Sequence, residues 1–369
     1  MNINYVNNEE INVNVTCADC GTTISIDAAT CIDGDYYCRD CLCECDLCGC
    51  VIPRNDAYST EDSGYDYCRD CFEHEMYVCC ECGGHYRYED EDREIDGRYY
   101  CDRCYEDFGP MIRDYHEFKN NGNIIFHGDE NRRDALYMGF ELEIDSDHHV
   151  DRERIARGLQ ERFGDFMHYE NDGSLNFGFE CITQPASLNY HLSLMPKYKE
   201  AFKYLIENEM MGHDAKTAGF HIHIDRKFFG TKEDSSIAKM LFVFEKFSPE
   251  LMKFSRRTEA QCADWCRSRK GTYNTESGWI KKAVMESKGF MRYGSRYYSV
   301  NLTNSNTIEI RLWRSTLNAE SFEATLRLTE RIANICKHVR AIDLAKMTFN
   351  DLLGNDEVVL NYWHRINNK

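Results

Sequence analysis

Lysine is missing from the first 104 residues of this chain, which nevertheless hold 24 Asp and Glu against 7 Arg. That segment carries −17 of the total −19, while the remaining 265 residues are nearly neutral, with 39 acids and 37 bases. Proteins that bind nucleic acid neutralise phosphates with Lys and Arg, so the first segment is not expected to bind it. Its charge suits a protein contact with a basic partner, or the duller role of a rigid acidic spacer. Met1–Glu10 has neither the basic start nor the apolar run of a signal peptide, and no stretch approaches the ~20 apolar residues that span a bilayer. No membrane association and a cytoplasmic setting are expected. There is no Walker A loop either: the nearest string, Gly289-Phe-Met-Arg-Tyr-Gly-Ser295, lacks the lysine. A nucleotide bound to this chain would be held by metals and arginines on a sheet, without a glycine cradle.

Cysteine is what the first segment has in excess, with 16 of the chain's 20 before residue 105. Cys17-x2-Cys20 is followed by Cys38-x2-Cys41, Cys45-x2-Cys48 by Cys68-x2-Cys71, and Cys79-x2-Cys82 by Cys101-x2-Cys104, with 17, 19 and 18 residues between the pairs. Each second pair follows a similar phrase, Gly34-Asp-Tyr-Tyr, Gly64-Tyr-Asp-Tyr or Gly97-Arg-Tyr-Tyr. Paired knuckles at this spacing predict a four-thiolate Zn²⁺ site in each unit, three in all, similar to LIM-type or zinc-ribbon modules. Where thiols stay reduced, metal is a better reading than disulfides. Pairing within each repeat is the simplest arrangement, and cross-braced pairing stays open. Cys31, Cys43, Cys50, Cys80, His74 and His85 are left over and could replace an assigned ligand.

Beyond residue 135 three stretches alternate apolar and polar residues with period two: Gly139–Ile144, Gly219–Ile224 and Thr307–Leu312. Half-buried strands read this way. Phe140, Leu142 and Ile144, Phe220, Ile222 and Ile224, and Ile308, Ile310 and Leu312 fall on one face. The other face carries Glu141 and Glu143, His221 and His223, and Glu309 and Arg311. A fourth strand, Phe177–Ile182, presents Glu180 after the turn Asn171-Asp-Gly-Ser174. Singly, each pair reads as a solvent face, buried histidines or a cross-strand ion pair. Together, oxygen ligands with an imidazole suit Mg²⁺ or Mn²⁺, and a neighbouring Arg suits phosphate.

Helices are predicted at 151–163, at 234–254 as one long buried element, and from an Asn318 cap to about Ala341. The expected order is a lead at 1–16, zinc modules at 17–42, 43–74 and 75–106, a linker at 107–135, and an α+β domain on a largely antiparallel sheet at 136–369. Cys262 and Cys266, flanking Trp265, read as packing residues.

The set Gly139-Phe-Glu-Leu-Glu, Asp172-Gly-Ser-Leu, Gly178-Phe-Glu180, Gly219-Phe-His-Ile-His, Asn301-Leu, Thr307-Ile-Glu-Ile-Arg and Arg314-Ser-Thr-Leu-Asn318 resembles the amidoligases. These belong to the carboxylate–amine ligase superfamily with the glutamine synthetase fold. The resemblance spans about 136–340 and leaves out the zinc repeats. It implies an ATP-dependent ligase joining a carboxylate substrate to an amine through an acyl phosphate. It further implies that Glu141, Glu143, Glu180, His221 and Glu309 hold divalent metal, and that His223 faces substrate. Arg311 would hold the transferred phosphate with help from Arg314. Asp172, Ser174 and Asn301 match family positions, with His223 or Asp172 as the group that takes a proton from the amine. The zinc modules would dock a protein substrate or partner. The rival expectations are an inactive adaptor and a metal-dependent hydrolase.

Overall fold

A computed structural model describes residues 13–60, 64–88, 94–95, 98–115, 118, 123–128, 135–268, 278–286, 288 and 296–368. The string Gly289–Ser295 lies outside the described residues, as does Gly97. The chain forms two units, Met1–Pro110 and Met111–Lys369.

The first unit is built from antiparallel hairpins of two or three residues per strand. β1 (Asn14–Thr16) pairs with β2 (Thr23–Ser25), β3 (Thr30–Ile32) with β4 (Asp35–Tyr37), and β5 (Leu42–Glu44) with β6 (Val51–Pro53). Likewise β7 (Met76–Val78) pairs with β8 (His85–Arg87), and β9 (Glu94–Ile95) with β10 (Arg98–Tyr99). The first Cys-x2-Cys of each repeat occupies the turn between β1 and β2, β5 and β6, or β7 and β8. Gly21, Gly49 and Gly83 close these turns at φ of 74°, 73° and 73°, a region that penalises any side chain. Each donates its N–H to the carbonyl of the leading cysteine, Cys17, Cys45 or Cys79. The second pair opens a single 3-10 turn at Arg39–Cys41 in the first repeat. In the others it opens α1 (Arg69–Glu75) and α2 (Asp102–Phe108), where Cys68 and Cys101 accept the N–H of Cys71 and Cys104 as helix caps.

The second unit is organised on a seven-stranded sheet. Its strands are β11 (Ile112–Arg113), β12 (Met138–Ile144), β13 (Met167–Glu170), β14 (Phe179–Thr183), β15 (Phe220–Asp225), β16 (Val300–Asn301) and β17 (Thr307–Ile310). Their order is β11-β13-β14-β12-β15-β17-β16, antiparallel except at the β11–β13 edge, so the sheet is mixed. β11 falls where a linker was expected: the Met111 and Ile112 N–H groups bind the buried Glu153 carboxylate at 2.8 and 3.2 Å, anchoring the stretch to this unit.

All nine apolar residues predicted for one face are buried. Helices α3 (Arg152–Phe163), α4 (Met195–Glu207), α5 (Glu233–Lys246), α6 (Ser248–Ser255) and α7 (Ala319–His338) contribute to that core. Phe322 of α7 stacks on Phe220 at 5.0 Å and meets Phe140 edge-on at 5.3 Å. The single helix expected over 234–254 is two: Pro249 has no N–H to continue the first helix, and the chain breaks at Phe247. Asn318 caps α7 by accepting the Ser321 N–H at 2.9 Å. No helix among the described residues is long and apolar enough to cross a membrane.

Candidate metal and anion site

The register of β14, β12, β15, β17 and β16 lines up the polar face. Glu143 lies opposite Glu180, Glu141 opposite His221, His223 opposite Glu309, and Glu309 opposite Asn301. Side chains paired across adjacent strands are near neighbours. The row therefore forms two groups whose candidate ligand atoms all lie within 4.8 Å of one another: Glu141, His223 and Glu309, and Glu143, Asp172 and Glu180. His221 stands between them, its Nδ1 at 3.3 Å from Glu141, 3.5 Å from Glu143 and 3.8 Å from Glu309.

Loops complete the arrangement. Asp145 accepts the N–H groups of Asn176 and Phe177, which fixes the chain between Asp172 and β14. Gly178 has no alternative, since a Cβ there would lie 1.9 Å from the Ile144 carbonyl oxygen. Gly219 donates to Glu143 at 2.5 Å, and a Cβ on it would meet the His221 Nε2 at 2.4 Å.

Burial alone raises a carboxyl, and at Glu141, Glu309, Glu180 and Asp172 the neighbours decide the outcome. For Glu141, burial is outweighed by the charges and hydrogen bonds of His223 and His221, which hold it well below the usual range. Glu309 is also lowered against its burial, by His223 and by Arg311, whose Nη1 lies 2.5 Å away. Glu180 goes the other way: burial, then the charge of Glu141 and a hydrogen bond shared with Asp172, push it well above. Asp172 is lowered despite burial, by the Glu180 bond and the Ser174 N–H. Five crowded carboxyls against two imidazoles and one close guanidinium leave an excess of negative oxygen. That donor set fits hard divalent cations.

His223, expected towards substrate, is grouped with Glu141 and Glu309, and His221, expected as a metal ligand, lies within 3.8 Å of three of the carboxylates. Asp172, expected to take a proton, stands among the carboxylates of the second group. Asn301, expected on the nucleotide, gives its amide to Glu309 at 2.6 Å and orients that carboxylate. The Ser174 N–H binds Asp172 at 2.6 Å. Arg314 bonds through Nη1 to the Arg256 carbonyl at 3.1 Å. Glu170 was not anticipated: buried and opposite Glu180, it accepts the Phe118 N–H at 2.6 Å. Asn304, a second donor to Glu309 at 3.3 Å, was missed as well.

In the first unit the thiols gather by repeat: Cys17, Cys20, Cys38 and Cys41, and Cys79, Cys82, Cys101 and Cys104, could each hold a zinc ion. The second repeat gathers Cys45, Cys48, Cys50 and Cys68, and the thiols of Cys68, Cys48 and Cys45 act on the Cys71 thiol, which burial first pushes up. Five thiols thus interact in this repeat. Cys80 is exposed and stands outside the third cluster. The leading thiol of each repeat is already poised as a ligand. Cys17 is lowered to about 6 by the N–H groups of Cys20 and Cys38. Cys45 and Cys79 reach about 6 against burial, through the same kind of N–H donors.

Residues 167–333 match the family model described as "Putative amidoligase enzyme", which indicates a ligase. The matched span contains Asp172, Glu180, both histidines, Glu309 and Arg311, while β12 with Glu141 and Glu143 precedes it. No curated protein matches the chain.

Proposed function

We propose that the second unit is an ATP-dependent carboxylate–amine ligase of glutamine-synthetase-like fold, working with Mg²⁺ or Mn²⁺. The observation that carries this reading is the pair of adjacent ligand groups, Glu141/His223/Glu309 and Glu143/Asp172/Glu180, with Arg311 beside them on a chain that matches an amidoligase family model. A carboxylate is a poor acyl donor. Its oxygen attacks the terminal phosphorus of ATP, ADP leaves, and an acyl phosphate results. The amine nitrogen then attacks the acyl carbon, phosphate leaves with the bonding pair, and the nitrogen gives up its proton. Divalent cations in the two groups would neutralise phosphoryl charge. Arg311, fixed by Glu309, presents a guanidinium to the transferred group. His223 lies 3.0 Å from Glu141, which raises its pKa against burial. The three thiol clusters hold zinc and form an acidic platform that docks a protein substrate or partner.

Calorimetry with Mg²⁺ and ATP on the zinc-loaded chain tests the proposal. Binding lost in both Glu141→Ala and Glu309→Ala is the expected result, followed by ADP release that depends on an added carboxylate and amine. Hydrolysis without nucleotide would turn the reading to a metal-dependent hydrolase. Neither binding nor turnover by well-folded protein would leave an adaptor.

A further inference from the structure

Beside the carboxylate row lies a corner of opposite charge. Arg256 ends α6 in a left-handed conformation at φ 60°, and Arg257 follows it into the interior at 5% exposure. Arg257 donates through Nε to the Leu312 carbonyl at 3.0 Å and through Nη2 to the Trp313 carbonyl at 3.2 Å. Its Nη1 is buried and has no partner among the described residues. The Nε atoms of Arg311 and Arg314 are in the same condition. Arg257 forms no ion pair among the described residues; the half-buried Arg314 is lowered by burial and by the charges of Arg257 and Arg256, with Asp214 acting in the opposite direction. Buried guanidinium charge without a counter-ion is costly, and native proteins normally satisfy such N–H groups.

Gly219 joins the corner to the metal-ligand row. It bridges to Arg314 through the backbone, and a Cβ on it would stand 2.4 Å from the His221 Nε2 and 2.9 Å from the Arg257 Nη2. We propose that Arg257, together with Arg314, forms an oxyanion subsite beside His221, a role that no sequence motif assigned to it. The two carbonyl bonds fix the guanidinium plane, which leaves Nη1 pre-organised to donate to a phosphate or carboxylate oxygen. The ligand is either a phosphate of the nucleotide or a carboxylate of the substrate. The placement rests on the proposed site as its neighbour, but anion capture needs neither ATP turnover nor Mg²⁺.

The test therefore uses simple anions on the full, zinc-loaded chain in Mg²⁺-free buffer. Line broadening of inorganic phosphate is followed by ³¹P NMR and of trifluoroacetate by ¹⁹F NMR, for the native chain, Arg257→Gln and Arg257→Lys. Saturable binding that weakens about tenfold or more in Arg257→Gln and is partly kept in Arg257→Lys is expected, the size of a charge-assisted hydrogen bond. Loss confined to phosphate assigns the subsite to the nucleotide, and loss confined to trifluoroacetate assigns it to the substrate carboxylate. Should Arg257→Gln fail to fold, Arg314→Gln supplies the same readout. Native protein that binds neither anion saturably, or folded variants that bind both as the native chain does, would overturn the proposal and leave Arg257 as a loop tie. Absence of ligase turnover would leave this result standing, so the two ideas fail separately.

Discussion

The two units place their candidate metal ligands in opposite relations to their cores. In the first, the buried clusters are Cys45, Tyr67, Cys71 and Met76, and Cys79, Tyr100, Cys101 and Cys104, so the ligands are much of the interior. In the second, Phe140, Phe220 and Phe322 belong to a large apolar core, and the ligands lie on the other face of the strands that carry it. A strand of two or three residues has little apolar surface to remove from water, so hairpins of that size need another source of stability. A seven-stranded sheet under helices does not. Metal binding and folding should be one event in the first unit and separate events in the second.

Chelation is the harshest test of this contrast. With zinc removed under reducing conditions, residues 13–88 should lose hydrogen-exchange protection throughout while the sheet of the second unit keeps it. Structural zinc is worth about 10–16 kcal/mol in small thiolate modules, more than such hairpins could replace. Protection surviving in verified metal-free protein would show that the tyrosines and hairpins suffice, and the comparison would collapse.

A core substitution reverses the pattern. Phe220 is fully buried between Phe140 and Phe322, and Phe220→Ala should cost the second unit about 3–5 kcal/mol in denaturant unfolding. Zinc stoichiometry should stay unchanged. A loss of zinc in that variant would mean that the units share their stability.

The period-two pattern made the second unit's ligand row legible because one buried face forces every second residue to the other. It revealed which residues share a face, but register chose the partners, and register brought His223 to Glu309 and left His221 between the groups. Arg257 and Glu170 carry no motif. Tertiary packing brings Arg257 beside Gly219 from a helix end, and strand pairing sets Glu170 opposite Glu180. β11 has two residues, too few for any period to show. In the thiol unit, spacing identified the repeats but could not rank Cys50 against Cys71, because both reach the second cluster.

Acid should weaken the second unit through a group far simpler than the metal site. His191 is wholly buried, with Nε2 at 2.9 Å from the Met138 carbonyl and Nδ1 at 3.1 Å from the Tyr198 hydroxyl. Burial lowers its pKa to about 4, against an unfolded value of about 6.5. The unfolded chain therefore takes up the proton first as pH falls. The stability that neutral His191 confers is present above pH ~6.5 and lost on the way down to about 4, some 3 kcal/mol in all. Glu141 and Glu309, held low in the fold, add a separate loss further down, as pH falls below the ordinary carboxylate range. Subtracting the unfolding profile of His191→Gln from the native one isolates the histidine. Parallel profiles between pH 7 and 4 would show that it stays accessible to protons in the fold.

The smallest effect sharpens the contrast most, because both units cap helices by the same device. Asn318 caps α7 with a side-chain oxygen, and Asn318→Ala should cost about 1 kcal/mol, or about 2–4 °C in the melting of the second unit. Asn318→Asp should be near neutral. Cys101 caps α2 by accepting the Cys104 N–H at 3.4 Å, yet its sulfur also belongs to the third thiol cluster. Cys101→Ser keeps an acceptor at the cap and gives up the thiolate. If capping were its main work, the loss would match that of Asn318→Ala. If the sulfur is a zinc ligand, the third module should lose its ion and its exchange protection together.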